Sequence, residues 1–502
     1  MNQNTRQQIR DNAQYLRNVR PLDPEELHEY VEGQPHPAVV KQVLREEAFD
    51  LGIVEQDDGT FVPAPEGRLS VNFDGVERFP DRYEQQVIDL LTEWGGLEWH
   101  SGDSGDELRE RIRDIKERYL QGQAVEYDEL TALGYAVYHL PDYYAVAKYV
   151  LADLAADGLL PSQLRVLDVG AGVGGPALAL RDLLPDDALL DYHAVEPSAA
   201  ADVLESLLED SGQNVRWEIH RSLAEEFDPS SPLVGDDSGG GAGNDSGGAG
   251  GSDSSGGADG SDTDAEGYDL IIFGNVLSEL DDAAATLYRY VKALADDGTL
   301  LALAPADRNT AIQLRTVERE VADGGPATVY GPTVRLWPHQ SPDSESWSFD
   351  RKPDIEVPTM QQRLDDPNGG TGEFVNTDVQ FAYSVLRTDG KRKHDVTPDR
   401  GIHAPMADAE NYVTDRVNFL GVKLSHDLAE REGANPLYLL GDGSQKVDHF
   451  AVLTEASILN EDLRKADYGD LLSFENALVL WNDDEEAYNV VVDGETVVDR
   501  AR

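Results

Sequence analysis

Gly170-Ala-Gly-Val-Gly-Gly175 stands directly between the apolar run Arg165-Val-Leu-Asp-Val169 and Pro176. Glycines at this spacing, between a buried strand and a helix, let a backbone turn lie close against a ligand. The pattern also satisfies the dinucleotide fingerprint G-x-G-x-x-G, so on its own it does not choose a ligand. Asp168, two residues before the first glycine, does choose. NAD would lay its pyrophosphate against this turn, where a carboxylate repels it. S-adenosylmethionine carries a sulfonium and an ammonium instead, and a carboxylate favours both. The predicted cofactor is therefore S-adenosylmethionine, with Asp168, Gly170, Ala171, Gly172 and Gly174 around its methionine moiety.

The remaining cofactor walls follow from the next strand ends. Tyr192-His-Ala-Val-Glu196 closes on a carboxylate that can accept hydrogen bonds from both ribose hydroxyls, with Pro197 beside it. The third run ends near Arg221-Ser-Leu223, which places Ser222 at the adenine without the usual acidic residue. Gly274-Asn-Val-Leu-Ser-Glu-Leu280 follows the fourth run, and Asn275 faces the methionine carboxylate or the acceptor. Methyl transfer is an in-line displacement whose main requirement is alignment. A ring nitrogen with a lone pair needs no general base, so no catalytic residue is named. Glu279, His339 and Asp307 are the candidates if a base is used. The chain has no cysteine, which excludes the covalent route to carbon-5 of cytosine. The exocyclic-amine signature Asn-Pro-Pro-aromatic is also missing after the fourth run.

The elements that must position these residues are legible as alternation. Strands are predicted over 165–169, 192–196, 215–219, 268–273 and 299–304, with helices over 176–184, 199–209 and 283–294 between them. Strand alternating with helix implies an α/β fold of Rossmann type, with a parallel sheet covered on both faces. This domain is assigned to 159–395, preceded by a helical region over 80–158. Pro229 to Gly267 is nearly all Gly, Ser, Asp and Ala, which cannot bury a core, and reads as a disordered insertion hanging away from the ligand. Residues 1–70 read helix, helix, hairpin, with Asp57-Asp-Gly59 at the turn. That is the outline of a winged helix, or of a small docking module. Residues 400–502 hold several short strand-like runs and read as a small β-domain of OB type.

Composition narrows the setting. Asp and Glu total 97 against 41 Lys and Arg, a net charge of −56 spread along all 502 residues. Such a chain repels itself in dilute salt. At molar salt, where the Debye length is about 3 Å, the repulsion fades, as expected for a halophile's protein. The acidity does not exclude RNA, because at high salt RNA is held by stacking, shape and hydrogen bonds. Without cysteine there is no disulfide, thiolate–zinc site or cysteine-ligated iron–sulfur cluster, and no metal site is predicted. No apolar run of about 18 residues and no signal peptide is found, so a cytoplasmic protein without membrane contact is expected.

Several pieces together resemble the mitochondrial small-ribosomal-subunit methyltransferase-like family, which has bacterial and archaeal members. Leu140-Pro-Asp-Tyr-Tyr-Ala-Val-Ala-Lys-Tyr-Val-Leu151 is similar to the family's helix before the glycine motif. Val276-Leu-Ser-Glu-Leu280, Phe381-Ala-Tyr-Ser-Val-Leu-Arg387 and Tyr468-Gly-Asp470 resemble its later signatures, in the same order. The resemblance implies a class I methyltransferase core, S-adenosylmethionine, and the small ribosomal subunit or its RNA as partner. The family's iron–sulfur cysteines are replaced here by Trp337-Pro-His339 and Trp347-Ser-Phe349, so His339 is expected to be structural. The family's Glu-Pro-Gly is Ala304-Pro-Ala306. Three functions follow: an RNA methyltransferase, a cofactor-binding assembly factor without turnover, or a DNA-binding regulator using the N-terminal module.

Overall fold

The structure is a computed structural model that describes residues 3–120, 125–233, 267–429, 431 and 433–501. At the N-terminus, α1 (Gln3–Leu16), α2 (Pro24–Leu27), α3 (Pro37–Glu46) and α4 (Ala48–Leu51) pack with a hairpin of β1 (Ile53–Glu55) and β2 (Phe61–Pro63). Asp23 caps α2 by accepting from the Glu25 amide, and Pro24 fills the first turn, where no amide is needed. Leu22 also pairs with Phe61, adding a one-residue bridge beside β2. The module's core of Ile9, Val40, Leu44, Ile53 and Phe61 reaches Leu189 of the neighbouring domain. The Glu55 amide donates to Asn214 Oδ1 at 2.8 Å, and Arg165 lies 4.8 Å from the Phe49 ring centroid. This module is therefore docked, not free on a linker.

The central sheet contains β3 (Gln163–Val169), β4 (Leu189–Val195), β5 (Val215–His220), β6 (Tyr268–Gly274), β7 (Leu294–Pro305), β8 (Thr328–Gly331), β9 (Asp350–Arg351) and β10 (Gln380–Arg387). Their order is β5-β4-β3-β6-β7-β10-β8, with β9 on the end of β10. Strands β3 to β7 run parallel, but β10 enters antiparallel between β7 and β8. The sheet is thus mixed, where alternation alone implied a parallel one. Order reverses between β3 and β6, which opens a crevice at their carboxyl ends.

Side chains alternate across each strand and build one core per face. Leu164, Val166, Leu190, Tyr192 and Ile272 pack with α5 (Asp81–Gly95), α6 (Gly102–Leu120), α7 (Glu129–Tyr138), α8 (Leu140–Ala156), α9 (Gly175–Leu183) and α10 (Ala200–Leu208). Leu167, Val169, Ile271 and Phe273 pack with α11 (Ala283–Val291) and α12 (Arg308–Ala322). The helical region 80–158 is therefore one wall of the α/β domain, joined near its open edge by α13 (Thr359–Asp365). Most of the insertion expected over 229–267 lies outside the described residues. The described chain ends at Leu233 and resumes at Gly267, at the start of β6, the sheet edge opposite the crevice.

The C-terminal domain comprises β11 (Arg416–Lys423), β12 (Leu437–Gly441), β13 (His449–Leu453), α14 (Asp462–Lys465), β14 (Leu471–Asn482), β15 (Ala487–Val492) and β16 (Val497–Arg500). Pairing runs β11-β12-β13-β15-β14 and returns to β11, which closes a five-stranded barrel, with β16 on the start of β14. The β13–β15 pair is parallel and the others antiparallel, the path of an OB-type barrel. Strand β11 was missed in the sequence because Arg416, Asn418 and Gly421 break its apolar pattern. The barrel packs on the segment after β8: Leu336 and Trp337 join Leu420, Val422 and Leu439, and the Trp337 indole donates to Asp442 at 2.7 Å.

Candidate functional site

The glycine turn joins β3 to α9 at the sheet's reversal point. The Gly170 amide donates to the Val195 carbonyl at 2.8 Å, pinning the turn to β4. Gly170 has φ +67°, and a Cβ there would lie 2.5 Å from Val276 Cγ2. Gly174 has φ +93° and would place a Cβ 2.5 Å from Leu204 Cδ1. Both positions need glycine for conformation and for close approach. Pro176 then sits in the first turn of α9, where its missing amide costs nothing.

Asp168 lies beneath this turn, fully buried, and is not in the cavity wall. One carboxylate oxygen accepts from the Tyr192 hydroxyl at 2.6 Å, and the other, Oδ1, has no partner. Burial first, and the Glu196 charge after it, raise its pKa to about 7 against the Tyr192 hydrogen bond. Glu196 does line the cavity. Its Oε2 accepts from the Gly172 amide at 2.9 Å, and its Oε1 from the Ser198 amide at 3.0 Å and hydroxyl at 2.5 Å. Glu196 therefore ties the glycine turn to the loop after β4.

Gly170, Ala171, Gly172, Gly174, Glu196, Pro197 and Asn275 all border one cavity of about 300 Å³. Ser222 does not: its side chain turns to the Leu223 carbonyl at 3.3 Å, and Leu223, Ala224 and Glu225 form that wall instead. The position one residue off follows from β5 ending at His220 and a turn in which the Ser222 amide donates back to His220. Of the three candidate bases, Glu279 borders this cavity, Asp307 borders its neighbour, and His339 borders neither. His339 sits near Asp395 and Trp337, where the barrel docks. Asp307 also caps α12, accepting from the Asn309 and Thr310 amides. Enclosure and the Glu196 charge raise the Glu279 carboxyl to about 7, while the Tyr127 hydroxyl, 3.1 Å away, opposes the rise.

Over the cavity lies a roof that the sequence reading missed. The segment Val125–Tyr127 is fixed by the Ala199 amide donating to the Tyr127 carbonyl, and Tyr135 and Tyr143 descend from α7 and α8. Their hydroxyls are 3.2 Å apart. Tyr135 and Tyr143 stand among apolar residues of two helices, where a tyrosine more often marks core packing than a site. His193, Glu218 and His220 also meet, with one ligand atom each within 4.8 Å. His193 Nδ1 is 3.1 Å from His220 Nε2, and Asp191 lies 3.5 Å from His193 Nε2. No metal was predicted there; the alternation Glu218-Ile-His220 on one strand face was the available signal.

The cavity fits a cationic ligand with an amphipathic body. Glu196 and Glu279 border it, Asp168 Oδ1 is orphaned behind it, and no Lys or Arg lines it among the described residues. Residues 139–355 match a family model described as a methyltransferase domain. Residues 6–57 and 407–501 match the N-terminal and C-terminal domains of a domain of unknown function (DUF8157). Among curated proteins nothing matches the chain. Among solved structures, the chain is similar to the YcgJ protein of Bacillus subtilis at 19% identity and TM-score 0.18, covering 28% of this chain and 44% of that one. It is similar to the CurJ carbon methyltransferase at 16% identity and TM-score 0.30, covering 77% and 91%. It is also similar to a putative RNA methyltransferase of Pyrococcus horikoshii at 12% identity and TM-score 0.25, covering 49% and 81%. These likenesses are distant, and the first spans less than half of its counterpart. The sheet order, the glycine turn and the match of residues 139–355 to a methyltransferase domain converge on a class I methyltransferase fold with S-adenosylmethionine as its cofactor.

Proposed function

We propose that the protein is an S-adenosylmethionine-dependent methyltransferase acting on the small ribosomal subunit or its RNA. The observation that carries turnover is that the cofactor cavity does not end at its own walls. Tyr127, Tyr135, Tyr143, Val146 and Asn275 are shared with a second cavity of about 500 Å³, which has room for an acceptor. A cofactor kept only for structure needs no such space. Bound S-adenosylmethionine supplies an electrophilic methyl group on a sulfonium. Glu196 would hold the ribose, Leu223 to Glu225 the adenine, and the glycine turn with Asp168 behind it the amino-acid end. Asn275 would orient the end nearest the acceptor.

The ribosomal acceptor is supported by the signature residues and their placement. Val276, Glu279 and Leu280 border the cofactor cavity, and Tyr468 bonds Ser348 and Arg315 where barrel and methyltransferase domain meet. An OB-type barrel is a frame that binds oligonucleotides in other proteins. The acidic surface suits a halophilic cytoplasm, where RNA would be held by stacking and shape. A helix long and apolar enough to cross a membrane is absent among the described residues. The non-catalytic assembly factor is the second reading, favoured by the lack of a base placed by sequence. The DNA-binding reading is disfavoured. A winged helix would use cations on α3, but Lys41 and Arg45 both pair with Glu55 and Arg6 with Glu46 and Glu47.

The test is transfer of labelled methyl groups to purified small subunits at molar salt, beside sequencing of RNA recovered with the tagged protein. Labelled small-subunit RNA, lost in Glu196→Ala, is expected. Recovery of that RNA without label would select the assembly factor. Recovery of only DNA, or of no nucleic acid, would remove the ribosomal reading.

A further inference from the structure

The second cavity has a composition that selects its occupant. Its aromatic wall comes from two sources: Tyr119, Tyr127, Tyr135 and Tyr143 from the helical side, and Trp347, Phe349 and Phe381 from the side of β7 and β10. Trp347 stands at the rim, 43% exposed, its indole donating to the Ala306 carbonyl at 2.9 Å. The floor is the carboxyl end of β7, Ala304 to Ala306. Its volume lies within the range of small-molecule sites, roughly 300–1,000 Å³.

The polar groups are few and lie to one side. Asp142, 7% exposed at the start of α8, lines the chamber with Oδ1 unpartnered. Asn275, at φ +60°, presents a side chain that makes no hydrogen bond among the described residues. Asn376 donates to the Tyr138 carbonyl at 3.2 Å. Every ionisable side chain in the wall other than tyrosine and His139 is an aspartate: Asp142, Asp307 and Asp378. No Lys or Arg lines it among the described residues. Lys116, the cation acting on His139, is turned to the Glu373 carbonyl at 2.8 Å and the Tyr138 ring. A phosphate or carboxylate would meet carboxyl groups and no cation, so the chamber disfavours an anionic group on charge.

We propose that this chamber takes one uncharged heteroaromatic ring, stacked on its aromatic wall and read along its edge by Asp142 and Asn275. The inference rests on the neighbouring cavity being the cofactor site, because only then is the ring presented to a methyl group. Burial lifts the Asp142 carboxyl well above its ordinary range against the Asn376 hydrogen bond, which favours the protonated form that can donate as well as accept. Burial and the Lys116 charge press His139 down to about 3, so it stays neutral. The unpartnered Asp142 carboxyl oxygen and the Asn275 amide face the edge of such a ring, and the aromatic groups match its faces. The ring arrives either as a free small heteroaromatic molecule or as a single base extruded from RNA.

Calorimetric titration of the full-length protein separates these sources. Cytidine, uridine and a short single-stranded RNA are the probes, and ribose 5-phosphate is the anion without a ring. All are run with and without saturating S-adenosylhomocysteine. Binding of the nucleosides would mark a free small molecule, and binding of the RNA alone an extruded base. In either case Trp347→Ala should weaken the ring by about tenfold, the scale of one lost stacking contact. That variant should keep its affinity for S-adenosylhomocysteine, which also shows that it folds. The proposal is overturned if no ring-bearing probe binds, if Trp347→Ala leaves the affinity unchanged, or if ribose 5-phosphate binds as well. Failure of S-adenosylhomocysteine to bind at all would instead overturn the cofactor site, and the titrations without it would still decide the chamber.

Discussion

At the scale of single residues, the charge of Asp168 decides how the cofactor site responds to pH. The carboxyl is buried behind the turn, which pushes its pKa up to about 7, so its charge changes across the neutral range. A cationic ligand favours the ionised form. Affinity for S-adenosylmethionine therefore rises as pH increases through 7 and levels off above it, and is lost as pH falls. A drop of about tenfold from pH 8 to pH 6 is expected, the scale of one linked proton. Calorimetry on Asp168→Asn should give weaker and nearly flat binding. An unaltered profile in that variant would assign the titration to Glu279, which also lies near 7. The sequence showed that an acid precedes the turn. It did not show that Tyr192, one strand away, takes one oxygen and leaves the other bare, because that depends on β3 and β4 pairing in register.

At the scale of elements, the β3–turn–α9 unit works because two glycines let other side chains fill the space they vacate. Gly170→Ala places a methyl group into Val276 and keeps a left-handed conformation that costs an L residue about 1–2 kcal/mol. Denaturant unfolding should register that loss plus the cost of moving Val276, together with reduced cofactor affinity. Adding Val276→Ala should remove the Cγ2 contact at 2.5 Å but keep the Cβ contact at 2.7 Å and the backbone term, and so recover only part of the loss. If the double variant is no more stable than the single one, Val276 is not what enforces glycine at this position. This unit was readable because its signals are local: an apolar strand, a glycine run and a proline at a helix start. The roof was not. Tyr127, Tyr135 and Tyr143 meet above the cavity only because α8 lies against α9, α7 packs on α8 and α10, and the Ala199 amide holds the Tyr127 carbonyl, and nothing local distinguishes them from core tyrosines.

At the scale of the whole molecule, two further outcomes are expected. The charge of −56 should make thermal stability depend steeply on salt, with the unfolding temperature rising from dilute buffer to molar KCl. A temperature that does not move would mean that the acids are already balanced within the fold. Replacing residues 234–266 by a short flexible linker should leave cofactor affinity unchanged. The described chain re-enters at Gly267, about 20 Å along β6 from the cavity at roughly 3.3 Å per residue. A large loss on calorimetry would place that segment at the site.

The sequence by itself determined the cofactor turn, the carboxylates at two strand ends, the alternation of strand and helix, and the exclusion of cysteine chemistry. Each is a property of neighbours in the chain, fixed by side-chain type and spacing. The tertiary structure decided which of those residues meet. It put Asp168 behind the wall, placed Leu223–Glu225 rather than Ser222 in the cavity wall, and carried His339 away to a cleft beside Trp337 and Asp395. It inserted β10 antiparallel beside β7, and it closed the C-terminal barrel through β11, a strand with no clear pattern of its own. It also brought Asp142, Asn275 and Trp347 around one chamber. Those residues lie far apart in the chain, and only the packing of helices and strands brings them together.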